Sequence, residues 1–234
     1  MTIKVRTDDT KAKTYVFLVL DRSSSMEPIR DDTIANFNEQ LATLKNNQTD
    51  NLETVVSLTT FGSDVTSVFH KKAIASVEPI TRDSYKPDGM TAMYDAVGAA
   101  IDSGTFLLDG NDPNTSFLVV ILSDGQENSS RKYSAADIAS KITELQNTKR
   151  WTFTYIGANQ DLSAVSKSLN IPLGNTQVFT ASSFGVRNLQ KSQNAGLRRY
   201  MTARSLGGTQ TDSFYDSSAD ASSGAVDPAT SDVK

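Results

Sequence analysis

The chain contains no cysteine, which excludes disulfides, thiol nucleophiles and cysteine-ligated zinc. Histidine is almost absent as well. His70 is the only one, so a Ser-His-Asp hydrolase would have to be built around it, and no G-x-S-x-G sequence accompanies it. The phosphate-binding pattern G-x-x-x-x-G-K-[ST] is also missing. The longest clearly apolar run, residues 15–20, has six residues. A membrane helix needs about 20, and the apolar part of a secretory signal about 7–15. A cytoplasmic protein without a membrane partner is therefore expected. There is no basic excess either. Lys and Arg total 23 against 27 Asp and Glu, a formal charge of −4. Residues 205–234 account for all of it, with Asp212, Asp216, Asp220, Asp227 and Asp232 against Lys234 alone. The remainder is neutral by count and gives no electrostatic case for nucleic acid.

What is present suits one globular domain. The 234 residues are 38% hydrophobic, with 10 Phe and 7 Tyr, enough to bury a sizeable core. Residues 14–20 (TYVFLVL) and 117–122 (FLVVIL) are continuously apolar and β-prone, as strands buried on both faces are. Each run ends near an aspartate, Asp21 and Asp124. Residues 53–61 and 65–71 read as a hairpin around Gly62-Ser63-Asp64, and residues 151–156 and 177–179 as further strands. Helices are expected over 29–46, 92–103, 161–169 and 182–204. Another is expected from Ser134 to about 147, opened by a capping-box spacing to Asp137. Alternating strands and helices predict an α/β fold: a Rossmann-like three-layer α/β/α sandwich, its sheet mostly parallel with one antiparallel edge strand. The expected divisions are a polar lead-in over 1–13, the domain over 14–204, and a flexible acidic tail over 205–234. The tail is rich in Gly, Ser, Thr, Ala and Asp. Phe214 and Tyr215 are among its few residues able to dock, on the body or on a partner.

Three loops carry the chemistry. Asp21-Arg22-Ser23-Ser24-Ser25 follows the first central strand. Pro87-Asp88-Gly89-Met90-Thr91 precedes the 92–103 helix, and Ser123-Asp124-Gly125-Gln126-Glu127 follows the second central strand. In parallel α/β sheets, sites form beyond the carboxyl ends of such strands. The D-x-S-x-S alternation turns three side chains the same way in an extended loop. Asp21, Ser23, Ser25, Thr91 and Asp124 make a set of hard oxygens without a soft ligand, suited to Mg²⁺, Mn²⁺ or Ca²⁺. Two carboxylates on a divalent ion leave an open position that favours an anionic ligand.

FLVLDRSSSM, DGMTAMYDA and VVILSDGQEN together resemble the metal-ion-dependent adhesion site of von Willebrand factor A domains. The resemblance extends over roughly residues 14–204. It implies Mg²⁺ held by Asp21, Ser23, Ser25, Thr91 and Asp124, some carboxylates acting through water, and a partner protein that presents an Asp or Glu carboxylate. The segment 154–161 is similar to one in small stand-alone A-domain proteins of bacteria and their phages, which favours a bacterial or phage setting, a virion-associated one included. Asp88 departs from the family, where glycine is commoner; an added carboxylate there would tighten the metal or repel an acidic ligand. Glu127 reads as a solvated loop residue, with an orienting role behind Asp124 as the alternative. Asp95 is assigned to the helix N-terminus, His70 to an edge strand, and Arg22 to the surface.

No enzyme is expected. A haloacid dehalogenase-like Mg²⁺-dependent phosphatase shares the strand ending in aspartate. It requires a second aspartate two positions on, where this chain has Ser23, so the proton-transfer group is missing. A structural role, for instance in a virion with a vestigial metal site, is the remaining alternative.

Overall fold

The computed structural model describes residues 11–107, 112–124, 126–158, 161–180 and 182–215. Six strands form one sheet: β1 (Ala12–Asp21), β2 (Leu52–Phe61), β3 (Val65–Ala73), β4 (Thr115–Ser123), β5 (Trp151–Ala158) and β6 (Thr176–Phe179). Their order is β3-β2-β1-β4-β5-β6, and only β3 runs antiparallel. The order reverses direction between β1 and β4, the position in such sheets where ligand sites form outside the carboxyl ends of the strands. The helices are α1 (Arg30–Asn46), α2 (Met93–Thr105), α3 (Ala135–Asn147), α4 (Leu162–Leu169) and α5 (Ser183–Ser205). The expected sandwich and its antiparallel edge strand are both present.

Strand pleating explains the two cores. Successive side chains of β1 point to opposite faces. Val16, Leu18 and Leu20 join β4 residues Leu118, Val120 and Leu122 under α1 and α5. Tyr15, Phe17 and Val19 join Phe117, Val119 and Ile121 under α2, α3 and α4. All nine residues of β4 are buried, which is why its sequence is continuously apolar rather than alternating. Ser134 opens α3 through the expected reciprocal capping box with Asp137.

Two elements depart from their sequence patterns. A short 3-10 turn over Ser24–Ile29 precedes α1 and contains Pro28, so the first helix starts at Arg30 rather than 29. More consequentially, α1 buries Thr33, Asn36, Gln40 and Thr43 beside Phe37, Leu41 and Leu44. The reason is that α5 packs across it. Asn36 Nδ2 donates to Gln193 Oε1 at 2.7 Å, so part of the helix–helix contact is polar.

The chain does not leave the body at residue 205. After α5 it turns back and runs along β5. Thr209 Oγ1 donates to Lys149 O at 2.6 Å and Thr211 N–H to Thr152 Oγ1 at 3.1 Å. Phe214 N–H then donates to Asn175 Oδ1 at 2.8 Å and Tyr215 N–H to Gly174 O at 2.9 Å. Phe214 is buried against Gly196 of α5, where a side chain larger than hydrogen would collide with its ring. Residues 216–234, the rest of the expected tail, and residues 1–10 of the lead-in lie outside the described residues. Where this strap starts, Arg204 is 1% exposed and ties the sheet's lower end together. It donates to Thr14 Oγ1, to the carbonyls of Lys13 and Asn114, and to Gly208 O.

Candidate metal centre

At the carboxyl end of β1 the backbone turns sharply, and Asp21 is fully buried there. Both of its carboxylate oxygens are engaged. Oδ1 accepts from Ser23 N–H at 2.7 Å and Oδ2 accepts from Ser123 Oγ at 2.5 Å. The first contact closes the D-x-S turn on itself. The second reaches across to the last residue of β4. Tyr85, 1% exposed, donates its hydroxyl to the Asp21 carbonyl at 2.6 Å and so supports the turn from below.

Hydroxyls continue outward from this anchor. Ser23 Oγ and Ser25 Oγ lie 3.0 Å apart. Ser25 Oγ donates to Asp124 Oδ1 at 2.6 Å. Ser23 is buried, whereas Ser25 is exposed and Asp124 half-buried, so the row opens to solvent on its Ser25 side. Thr91, also buried, is laced to the third loop. Its N–H donates to Asn128 Oδ1 at 2.9 Å, and its carbonyl accepts from the N–H groups of Asn128 and Ser129. Ser24 N–H donates to Gly89 O at 3.0 Å and joins the first loop to the second.

Burial pushes the Asp21 carboxyl above the usual carboxylate range, against the hydrogen bonds from Ser123 and Ser23, and the nearby Asp124 charge pushes it the same way. Burial also raises Asp124, against the hydrogen bond from Ser25. Burial, and next the charge of Asp21, hold the Tyr85 hydroxyl well above its ordinary value, so it remains a donor. Two desolvated carboxylates beside each other are an unfavourable arrangement that a cation would relieve. The donor set therefore fits a hard divalent ion: clustered oxygens, partly buried, with an outlet to solvent.

Asp88 and Glu127 take different places. Asp88 is exposed and is held through its backbone, its N–H donating to Arg22 O at 2.7 Å. Glu127 is not the solvated residue its sequence context suggests. Its carboxylate accepts from Ser129 N–H, Ser130 N–H, Ser130 Oγ and Tyr94 N–H, at 2.7–3.0 Å. It thereby pins the third loop to the first turn of α2, the helix that Thr91 precedes. Asp95 does more than favour a helix end. It accepts the backbone N–H groups of Arg131, Lys132 and Tyr133 and fixes the chain leaving that loop. Arg22 pairs with Asp64 of the β2–β3 turn at 2.7 Å. His70 lies exposed on β3, 3.4 Å from Ser103 Oγ, with no hydrogen bond to these loops among the described residues.

Sequence reasoning did not single out Ser123 or Tyr85. For Ser123 the signal was its position, the last residue of a central strand and immediately before Asp124. Tyr85 carries no such signal, because its partner is a backbone carbonyl 64 residues away.

The von Willebrand factor type A domain model matches residues 16–200. The chain belongs to that family. The comparison with curated proteins gives no match. Solved structures share the fold at low identity. Proximal thread matrix protein 1 from the mussel byssus is 16% identical with a TM-score of 0.52, covering 81% of this chain and 46% of that one. An ArnB paralog, VWA2, from Sulfolobus acidocaldarius is 18% identical with a TM-score of 0.50, covering 79% and 44%. The pilus adhesin SpaC from Lactobacillus rhamnosus GG is 12% identical with a TM-score of 0.57, covering 83% and 31%. This A domain thus spans less than half the length of each. A further structure of the byssus protein is described as having a zinc occupied MIDAS motif. Among the described residues, no helix of this A domain is long and apolar enough to cross a membrane.

Proposed function

We propose that this A domain is a divalent-metal-dependent protein–protein interaction module and not an enzyme. Asp21, Ser23, Ser25, Thr91 and Asp124 would hold Mg²⁺, and a partner's Asp or Glu carboxylate would complete its coordination. The observation that carries the reading is the oxygen row Ser23–Ser25–Asp124, at 3.0 and 2.6 Å, beside a buried Asp21. Asp21 already accepts a hydrogen bond on each oxygen, which suits contact with the ion through water. Ser25 can offer a lone pair to a cation while donating its proton to Asp124. When bound, the ion would supply positive charge at an open face, and the hydroxyls would leave that charge incompletely neutralised. Glu127 acts behind this set by fixing the third loop, whereas Asp88 is exposed beside it. A non-enzymatic role agrees with the character of the family as interaction modules.

Titration calorimetry of the wild type and Asp21→Ala with Mg²⁺, Mn²⁺ and Zn²⁺ tests the reading. The expected result is saturable binding of Mg²⁺ and Mn²⁺ that is lost in the folded variant. Folded wild type that binds neither ion would refute it. Preference for Zn²⁺, as the byssus protein's occupied site raises, would keep the site and change the metal.

A further inference from the structure

Beside the metal centre the surface opens into a groove between the first turn of α2 and α4. Its volume is about 370 Å³, within the range of sites that enclose a ligand. Two of its lining residues place it next to the loops described above. Met93 lies two residues past Thr91, and Gln126 two residues past Asp124. Each of these Cα pairs is therefore at most ~7 Å apart. Glu127 lines the groove as well, where its carboxylate holds the third loop to Tyr94 N–H at 3.0 Å.

The lining chemistry is uneven. Met93, Tyr155 and Leu169 are buried and close the groove at depth, and half-buried Tyr94 and Val165 continue its apolar surface outward. No lysine or arginine lines it among the described residues, so an acidic side chain would find no countercharge there. Glu127 already accepts four hydrogen bonds. Asp161 is exposed at the rim, and both of its helix-capping bonds, from Ser163 N–H at 2.9 Å and Ala164 N–H at 3.3 Å, fall on Oδ1. A carboxylate accepts more than two hydrogen bonds, so Asp161 can receive one from a ligand. An apolar slot with a single acceptor at its mouth matches a large ring that carries one donor.

We propose that this groove seats a tryptophan or tyrosine of the partner, two residues from the carboxylate that completes the metal's coordination. Such side chains bury an apolar ring and keep a donor at the wet end, here directed at Asp161. In an extended segment, side chains two positions apart point the same way and lie ~6.6 Å apart, which matches the step from Thr91 to Met93. The inference rests on the metal-dependent reading above and adds a second anchor to it. Aromatic anchors seated in pockets carry a large share of interface affinity. The ring should therefore strengthen binding at least about tenfold over alanine at the same position.

The test is an NMR titration of the full-length, isotopically labelled protein, first with Mg²⁺ and then with three acetylated, amidated tripeptides: Asp-Gly-Trp, Asp-Gly-Ala and Asp-Gly-Arg. Amide shifts at Ser25 and Thr91 report the metal itself. The expected result is that the tryptophan peptide binds at least about tenfold more tightly than the alanine peptide and also shifts Tyr94, Gln126 and Val165. Ala164→Phe, which fills the groove from an exposed position on α4, should erase that advantage and leave the alanine peptide's affinity unchanged. Equal binding of the tryptophan and alanine peptides, or no binding of any peptide to loops that Mg²⁺ shifts, would overturn the inference and leave the metal site standing. An advantage that survives Ala164→Phe would place the ring elsewhere and overturn it too. Tightest binding by the arginine peptide would show a seat for a cation, against the aromatic assignment. Absence of Mg²⁺ shifts at Ser25 and Thr91 would refute the metal reading and this inference together.

Discussion

Ser25 Oγ donates to Asp124 Oδ1 at 2.6 Å and so joins two loops 99 residues apart in sequence. Each loop leaves a parallel strand, and neither would hold its side chain in place alone. Ser25 is exposed, so Ser25→Ala should leave stability within ~0.5 kcal/mol. Hydrogen bonds to charged groups contribute about 1.5–3 kcal/mol. Mg²⁺ affinity should therefore fall at least about tenfold in calorimetry while urea denaturation is unchanged. Unchanged affinity would remove Ser25 from the site.

Glu127 gathers four donors from the third loop and α2. Glu127→Ala leaves three backbone N–H groups to find water, at a cost of about 2 kcal/mol. Chemical denaturation should show that loss, and metal binding should weaken because Asp124 sits on the released loop. A change below about 0.5 kcal/mol would return Glu127 to the status of a solvated residue.

Asp95 titrates in a direction that can be read from stability. Burial tends to raise its carboxyl, but the N–H groups of Arg131, Tyr133 and Lys132 outweigh burial and hold it below the ordinary 3.8. A depressed folded value means stability that is complete above the unfolded value and lost as pH falls through the folded one. The wild type should therefore exceed Asp95→Asn in unfolding free energy at pH 6, and the gap should narrow below pH ~4. A gap independent of pH would show that the charge is not what those N–H groups require.

Gly89 has φ +82° and its carbonyl holds Ser24. A Cβ there would lie 2.5 Å from Ser63 Oγ, and the backbone conformation itself is strained for any L side chain. Gly89→Ala should cost about 1–3 kcal/mol and weaken metal binding by shifting the loop that ends at Thr91. Unaltered metal affinity in a destabilised variant would show that the second loop tolerates movement.

The parts legible in the sequence were those where one physical constraint dominates. β1 and β4 are buried on both faces, so their apolar runs are unbroken, and the aspartates beyond them fall at the carboxyl end of the sheet by topology alone. Capping-box spacing placed the start of α3 for the same reason. The illegible parts depend on partners distant in the chain. Asn36 and Gln40 look like a solvated face until α5 covers them. Glu127 looks solvated because its partners are mostly backbone N–H groups, which residue types do not reveal. Phe214 and Tyr215 stand out in their polar stretch as residues able to dock, but the composition around them conceals the run of backbone hydrogen bonds that holds residues 209–215 to the body.

Sheet order has a consequence for how the chain acquires its structure. β1 is synthesised first yet lies between β2 and β4, so its second edge stays open until residue 123 has emerged. Its lower end is tied by Arg204 later still. Among these strands, the oldest thus waits through the longest stretch of chain for its second neighbour. Contacts so distant in sequence slow folding and prolong exposure of an apolar edge. During synthesis, residues 12–21 are therefore the apolar strand edge that stays unpaired through the longest stretch of chain.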